Sequence, residues 1–100
     1  MAKLINLTDR FSLERPKIVI GEHTFEVDDS IATATKFQEL AQAQDMDSMK
    51  EAMKLILGEE SIEKLDYDKL SLGNLKTLNI AIMAAIQGIS YEDAESRFQD

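Results

Sequence analysis

The sequence predicts an α+β fold in which a small N-terminal β-hairpin or three-stranded meander precedes a bundle of four to five α-helices. Two observations predict it. β-branched and alternating apolar residues are concentrated before residue 30, and apolar residues recur at helical spacing after it. Because strands and helices occupy separate parts of the chain, a segregated arrangement is expected. The length of 100 residues predicts a single domain, with a β-rich part at 1–29 and a helical part at 30–100.

The β-rich part contains two strand patterns and one shorter apolar stretch. Residues 18–20 are β-branched, and residues 24–27 alternate with period two. The segment between them, residues 21–23, contains glycine and predicts a hairpin loop, while Pro16 suits the start of a strand. The apolar stretch KLINL, residues 3–7, predicts either a third strand or an arm. The sequence leaves open whether that stretch pairs within its own chain or with another copy.

Helix-starting and helix-ending residues divide the helical part. Gly58 suits the left-handed position that ends a helix, and Gly88 is predicted to end the helix that follows Ser71. Short polar residues that favour helix N-caps precede each apolar pattern. They are Ser30, Asp45 or Asp47, Ser61, Ser71 and Ser90.

Residues 80–86, IAIMAAI, form an uninterrupted apolar run inside the predicted helix that follows Ser71. The run is too short to cross a membrane. A helix that is apolar all round is buried all round, so these residues predict the central core helix. The alternative is a helix partly covered by another subunit or by a bound client.

The composition excludes several classes of function. The net charge of −8 opposes the basic surface that a nucleic-acid-binding protein needs, and it disfavours an anionic membrane as a partner. It favours solubility and a basic or apolar partner surface. The chain has no cysteine, which excludes a disulfide, a thiolate nucleophile and cysteine-ligated zinc.

No residue pattern indicates catalysis, a cofactor or a metal. His23 is the single histidine and lies in the predicted hairpin loop without a recognisable nucleophile. The pairs Asp45/Asp47 and Asp66/Asp68 resemble the start of a calcium loop. Neither pair is followed by the ligand, glycine and glutamate that such a loop requires. No phosphate-binding or dinucleotide fingerprint is present. We therefore predict a non-enzyme without catalytic, cofactor-binding or metal-ligating residues.

Apolar residues on two helices are the candidates for contact with a partner protein. Met46, Met49 and Met53 lie on one side of the second helix, and Met-rich faces adapt to varied partners. The alternative is that Met49 and Met53 are ordinary core residues. Tyr91 and Phe98 share one face of the last helix. These five residues form the predicted partner-binding set.

Three segments together resemble the tail-assembly chaperones of siphophages and prophages of Gram-positive bacteria. They are KLINLTDRFSLERPKIVIGEHTFEVDDS at the start, EAMKLILGEES in the middle and LNIAIMAAIQGISYEDAESRFQD at the end. The resemblance spans almost the whole chain and includes no catalytic signature.

The resemblance implies a function in virus assembly. Such chaperones bind the tape-measure protein, keep it soluble and recruit tail-tube subunits, so the major tail protein is a further partner. The resemblance implies an assembly factor of the host cytoplasm that is absent from the mature virion. Many such proteins also exist in a longer, frameshifted form. We further expect self-association, and we expect neither nucleic acid nor membrane as a partner.

Two other functions are compatible with the sequence. One is a structural minor tail or connector protein of a phage or prophage, which would remain in purified particles. The other is a small acidic inhibitor that mimics nucleic acid and blocks a host protein. Such inhibitors display acidic residues in regular stripes, whereas the acidic residues here are spread through predicted caps and turns.

Overall fold

In the part of the chain that the structure describes, a β-hairpin is followed by five α-helices, which confirms the predicted α+β class. The structure is a computed structural model that describes residues 3–11, 14–43 and 45–98. The strands are β1 (Lys17–Ile20) and β2 (His23–Glu26). The helices are α1 (Ile31–Gln42), α2 (Met46–Leu57), α3 (Glu59–Leu65), a 3-10 helix (Tyr67–Lys69), α4 (Leu72–Gln87) and α5 (Tyr91–Phe98).

Within the described residues the sheet has two strands, so the hairpin alternative is observed and the three-stranded meander is not. The strands are antiparallel, with Ile18 opposite Phe25 and Ile20 opposite His23. The loop holds two residues, Gly21 and Glu22, whereas the sequence predicted three. Gly21 has φ 60°, and a glycine at the first loop position is what a tight two-residue hairpin turn requires. His23 therefore belongs to β2.

Most of the predicted helix starts are confirmed. The side chains of Ser30, Asp45, Ser71 and Ser90 each accept a hydrogen bond from the backbone N–H three residues later. The prediction for Ser61 is wrong, because α3 already begins at Glu59.

Gly58 and Gly88 end α2 and α4 as predicted, but the left-handed conformation predicted for Gly58 is wrong. Gly88 is left-handed, with φ 67° and ψ 33°. Gly58 has φ 92° and ψ 153°, because it ends α2 and precedes α3 without an intervening residue. An extended ψ is the conformation that the residue before a helix adopts.

The apolar run of α4 is covered, as predicted, and the helix contributes to both apolar clusters. From residue 78 to residue 86 no side chain is exposed. Leu78 and Ile82 belong to the main core, while Ile80 and Ala84 pack with Ala94 of α5. The buried residues of the main core come from the hairpin, α1, α2, α3, the 3-10 helix and α4. They are Phe25, Val27, Phe37, Ala52, Met53, Ile56, Leu57, Ile62, Tyr67, Leu78 and Ile82.

Asp28 connects the hairpin to the helices. Its backbone N–H donates a hydrogen bond of 3.0 Å to the carbonyl oxygen of Ile56 at the end of α2. Its carboxylate accepts bonds from the Ser30 N–H, at 3.1 Å, and from the Thr33 hydroxyl, at 2.9 Å. The bond from the Ser30 N–H is the main reason why the pKa of Asp28 lies below its ordinary value of 3.8.

Residues 3–11 form an exposed segment, which we call the N-terminal arm. Leu4 is 95% exposed and Ile5 is 76% exposed. A turn follows, in which the N–H groups of Arg10 and Phe11 donate to the Leu7 carbonyl at 2.8 and 3.1 Å. The Cα radius of gyration is 15.4 Å, above the roughly 13 Å of a compact chain of this length. The larger radius agrees with an arm that projects from the body.

Candidate partner-binding groove

A groove of about 440 Å³ lies between the hairpin and helices α3, α4 and α5. We call it the β1 groove. Its polar lining consists of His23, Lys64, Asn74 and Thr77. The other lining residues are apolar or aromatic: Ile18, Val19, Ile20, Phe25, Leu65, Leu70, Leu78, Ala81 and Tyr91. No acidic residue lines this groove among the described residues, so it suits an apolar rather than a cationic occupant.

The floor of the β1 groove is continuous with the core. Ile18 and Phe25 face each other across the hairpin, and both pack with the main core cluster that contains Leu78. Period-two alternation places Ile20 on the same face of β1 as Ile18. Ile20 remains 43% exposed, because α4 does not cover the turn end of the hairpin completely. Ile18 and Phe25, which pack on the core, therefore fix the position of the partly exposed Ile20 side chain.

The groove lies against one face of the hairpin, and β1 has an unpaired edge. Ile18 and Ile20 line the groove together with Phe25 and His23, which lie opposite them on β2. Val19, between Ile18 and Ile20, also borders it.

The Val27 N–H donates to the Pro16 carbonyl at 2.9 Å, so these two residues form a hydrogen-bonded pair. Bonded and non-bonded pairs alternate along an antiparallel hairpin, so Lys17 opposite Glu26 and Val19 opposite Thr24 are non-bonded pairs. By that alternation, the N–H and C=O groups of Lys17 and Val19 point away from β2. None of them has a hydrogen-bond partner within the described residues.

The walls of the groove come from helices that start and end at well-defined residues. Ser71 caps α4 by accepting from the Asn74 N–H at 3.0 Å, and the Thr77 hydroxyl donates to the Gly73 carbonyl at 3.1 Å. Tyr91 begins α5 after the turn at Gly88 and closes one side. The walls are therefore held by local hydrogen bonds as well as by packing.

A smaller depression of about 220 Å³ lies on the other side of Leu70. Its apolar residues, which we call the Met46 surface, are Met46, Leu70, Leu72 and Leu75. Leu72 is 75% exposed and Met46 is 56% exposed. Leu70 lines both depressions, so two apolar surfaces adjoin. The ion pair between Lys50 and Asp68, with an N–O distance of 3.1 Å, lies beside the smaller one.

The structure separates the five predicted partner-binding residues. Met46 is exposed on the Met46 surface, and Tyr91 lines the β1 groove. Met49 is half-buried against the core. Met53 is 0% exposed and has no surface that a partner can contact, so the prediction is corrected for this residue. Phe98 ends α5, and its side chain lies outside the described part of the chain.

Val19, Ile20 and Leu72 were missed by the sequence reasoning. The run Ile18-Val19-Ile20 was a usable signal, because three consecutive apolar residues in a strand place apolar side chains on both faces. A two-stranded hairpin buries only one face against helices. The other face and the open edge therefore remain available for a partner.

Within the described ranges, no group of three or more His, Asp or Glu residues is placed to hold a metal ion. Asp45, one of the aspartates considered for calcium, caps α2. The bond from the Ser48 N–H to Asp45 lowers the pKa of this carboxyl. None of the helices in the same part of the chain has the length and apolar content needed to cross a bilayer. Most residues that line the β1 groove are apolar, so its lining favours binding by apolar contact.

Comparison with known proteins gives no further assignment. No model of a protein family, no curated protein and no solved structure matches this chain. The geometry and the resemblance of the three sequence segments are therefore the basis for a proposed function.

Proposed function

We propose that this protein is a phage tail-assembly chaperone that binds the tape-measure protein, keeps it soluble and recruits tail-tube subunits. The observation that carries the proposal is the open, apolar β1 groove on a domain without a recognisable catalytic arrangement in its described residues. The sequence resemblance supplies the identity of the client. The chaperone acts in the host cytoplasm and leaves before the virion is complete.

The β1 groove suits an apolar segment of a long helical client. An amphipathic helix presents apolar side chains at positions i, i+3 or i+4, and i+7, and a groove lined by apolar residues covers them. A volume of about 440 Å³ has room for a few such side chains. Each contact of this size is weak, but many copies along a long client bind it through avidity. Coverage of the client's apolar face is what prevents its aggregation.

The charge of the chaperone supports the same function. A net charge of −8 keeps a coated client soluble, because neighbouring copies repel at long range. Acidic residues outside the groove leave its apolar lining free for the client. A protein that solubilises another needs an apolar surface that binds the client and a charged surface that faces water.

The test is co-expression with the tape-measure protein that the resemblance implies as the client, with the client's solubility and co-purification as readouts. Ile20→Asp introduces a charge into the groove, and Leu55→Asp introduces the same charge outside it. Both residues are 43% exposed, so the two variants are matched for burial. We expect the wild type and Leu55→Asp to co-purify with a soluble client, and Ile20→Asp to lose it.

Two outcomes would overturn parts of this proposal. A client that is equally soluble with and without the protein would contradict the chaperone function. Retention of the client by Ile20→Asp combined with its loss in Met46→Asp would place the client on the Met46 surface instead. Circular dichroism of each purified variant serves as the control for folding.

A further inference from the structure

The N-terminal arm carries apolar residues that its own chain does not cover. Leu4, Ile5 and Leu7 are 95%, 76% and 49% exposed. The segment that contains them, KLINL, has the β-branched and aliphatic character of a strand, yet residues 3–7 have no strand partner among the described residues. Such a segment gains stability when its apolar side chains and backbone groups find a partner.

The edge of β1 provides what the arm lacks. The N–H and C=O groups of Lys17 and Val19 point away from β2, and Ile18, Val19 and Ile20 of the same strand line the β1 groove. An added strand would bond to those groups and place alternate side chains on the hairpin face that borders the groove, as in recognition by β-strand addition. Ile5 and Leu7 share one face of such a strand and are the apolar pair that suits the groove, whereas Leu4 and Asn6 lie on the opposite face.

Charge favours the arm of another copy as the occupant. Residues 1–11 contain two basic residues and one acidic residue, whereas residues 12–100 contain nine basic and 18 acidic residues. Acidic residues flank the lining of the groove in sequence: Glu22 lies in the hairpin loop, and Glu92 and Asp93 follow Tyr91. A weakly basic arm is therefore attracted to the acidic body of a second molecule.

We propose that the N-terminal arm of one copy docks as an added strand along the β1 edge of a second copy, with its apolar side chains in the β1 groove. Within a single chain, the turn that closes on the Leu7 carbonyl separates the arm from β1, and Leu4 stays almost fully exposed. Reciprocal exchange of two arms makes a closed dimer, and one-way exchange makes a chain of copies. The inference goes beyond the proposed function, because it concerns self-association and needs no client.

A pair of proline variants tests the strand edge. Val19 and Thr24 are opposite each other in a non-bonded pair, so the N–H of each points to its own outer edge. Val19→Pro removes an N–H on the groove side, and Thr24→Pro removes the equivalent N–H on the other side. The full chain is measured by sedimentation velocity over a wide range of concentration. We expect concentration-dependent self-association for the wild type and Thr24→Pro, and its loss in Val19→Pro.

A second pair of variants tests the arm and cannot be confused with unfolding. Ile5→Asp changes a residue that the fold does not bury, and Asn6→Asp adds the same charge on the opposite face of the arm strand. We expect Ile5→Asp to be monomeric and Asn6→Asp to self-associate. If Val19→Pro fails to fold, this pair of arm variants alone tests whether the arm mediates self-association.

Several results would overturn the arm proposal. They are a wild-type monomer at all concentrations, self-association that persists in Ile5→Asp, and a monomer whose arm amides are protected from hydrogen exchange by its own groove. Client solubilisation is scored separately on Ile5→Asp. If Ile5→Asp no longer self-associates but still solubilises the client, both proposals are supported. If the wild type does not solubilise the client, only the chaperone function is contradicted.

Discussion

Val19 and Thr24 lie opposite each other across the hairpin, and their backbone N–H groups point to opposite edges of the two-stranded sheet. The edge on the Val19 side borders the apolar β1 groove, where Val19 itself is 69% exposed. One edge of the sheet therefore combines free backbone groups with an apolar surface. This combination is what a binding partner requires, and the rest of the fold holds it in place.

Phe37 attaches α1 to the body, and its truncation will be strongly destabilising. It is the buried residue of α1 and is 0% exposed. Phe37→Ala is expected to lower the free energy of unfolding by about 3–5 kcal/mol, because it removes buried apolar surface and leaves a cavity. Urea denaturation measures the change. Phe11→Ala, at a residue that is 66% exposed, is the control and should change stability by less than about 0.5 kcal/mol. Equal effects would contradict the packing described for α1.

The junction at Asp28 makes stability depend on pH in the acidic range. Its folded pKa lies below its ordinary value of 3.8, mainly because the carboxylate accepts a bond from the Ser30 N–H. The stabilisation is present above the unfolded pKa and is lost as the pH falls through the folded value. Asp28→Asn should therefore weaken the acid-induced fall of the urea midpoint.

The neighbouring substitution Asp29→Asn removes the same charge and is the matched control for Asp28→Asn. Part of the acid dependence remains in Asp28→Asn, because the pKa of Asp45 is also lowered by the bond from the Ser48 N–H. A urea midpoint that responds to acid identically in Asp28→Asn, Asp29→Asn and the wild type would contradict the importance of the Asp28 junction.

Two glycines at the opposite ends of α4 should respond to alanine in opposite directions. Gly88 has φ 67°, a left-handed conformation that costs an alanine about 1–2 kcal/mol. Gly73 lies in the first turn of the helix, where an added Cβ meets only the Ser71 Oγ at 3.9 Å. Gly73→Ala should raise the unfolding free energy by up to about 1 kcal/mol, and Gly88→Ala should lower it. Thermal and urea unfolding distinguish the two, and a stabilised Gly88→Ala would show that the turn before α5 is described wrongly.

Tyr67 carries a hydroxyl group that can be removed without loss of stability. The side chain is 8% exposed, and its hydroxyl oxygen has no hydrogen-bond partner among the described residues. Burial, together with the charge of Asp68, raises the pKa of Tyr67. A buried polar group without a partner costs about 1–3 kcal/mol. We therefore expect Tyr67→Phe to be neutral or more stable than the wild type in urea.

The control for that substitution is Tyr91→Phe. Tyr91 is half-buried and lines the β1 groove. It should leave the free energy of unfolding unchanged. A destabilisation of Tyr67→Phe by more than about 1 kcal/mol would show that the hydroxyl has a partner after all.

The elements that depend on local chemistry were predictable from the sequence. Ser30, Ser71 and Ser90 begin helices because their side-chain oxygens accept from nearby N–H groups, and that preference is local. Residues 80–86 form a covered helix because they are apolar all round. The start of α3 was not predictable in the same way. Gly58 serves two helices at once, so Ser61 never acts as a cap.

The groove was less predictable than the fold. Tyr91 was identified by its helical face, but Val19 and Ile20 contribute through tertiary placement beside α4. Met53 follows the same apolar stripe as Met46, and helical spacing alone does not reveal which end of the stripe α1 covers. Residues 3–7 form no strand in the described part of the chain, because a strand needs a neighbouring strand to pair with and a local apolar pattern does not supply one.

The most direct test of the account is site-specific photo-crosslinking in cells that co-express the protein with the tape-measure-like client. A photoreactive residue is placed at Ile20 in the β1 groove or at Leu55 outside it, positions with equal exposure of 43%. The account predicts a crosslink to the client from position 20 and none from position 55. A soluble client that crosslinks from position 55, or from neither position, would contradict the groove as the site of client binding.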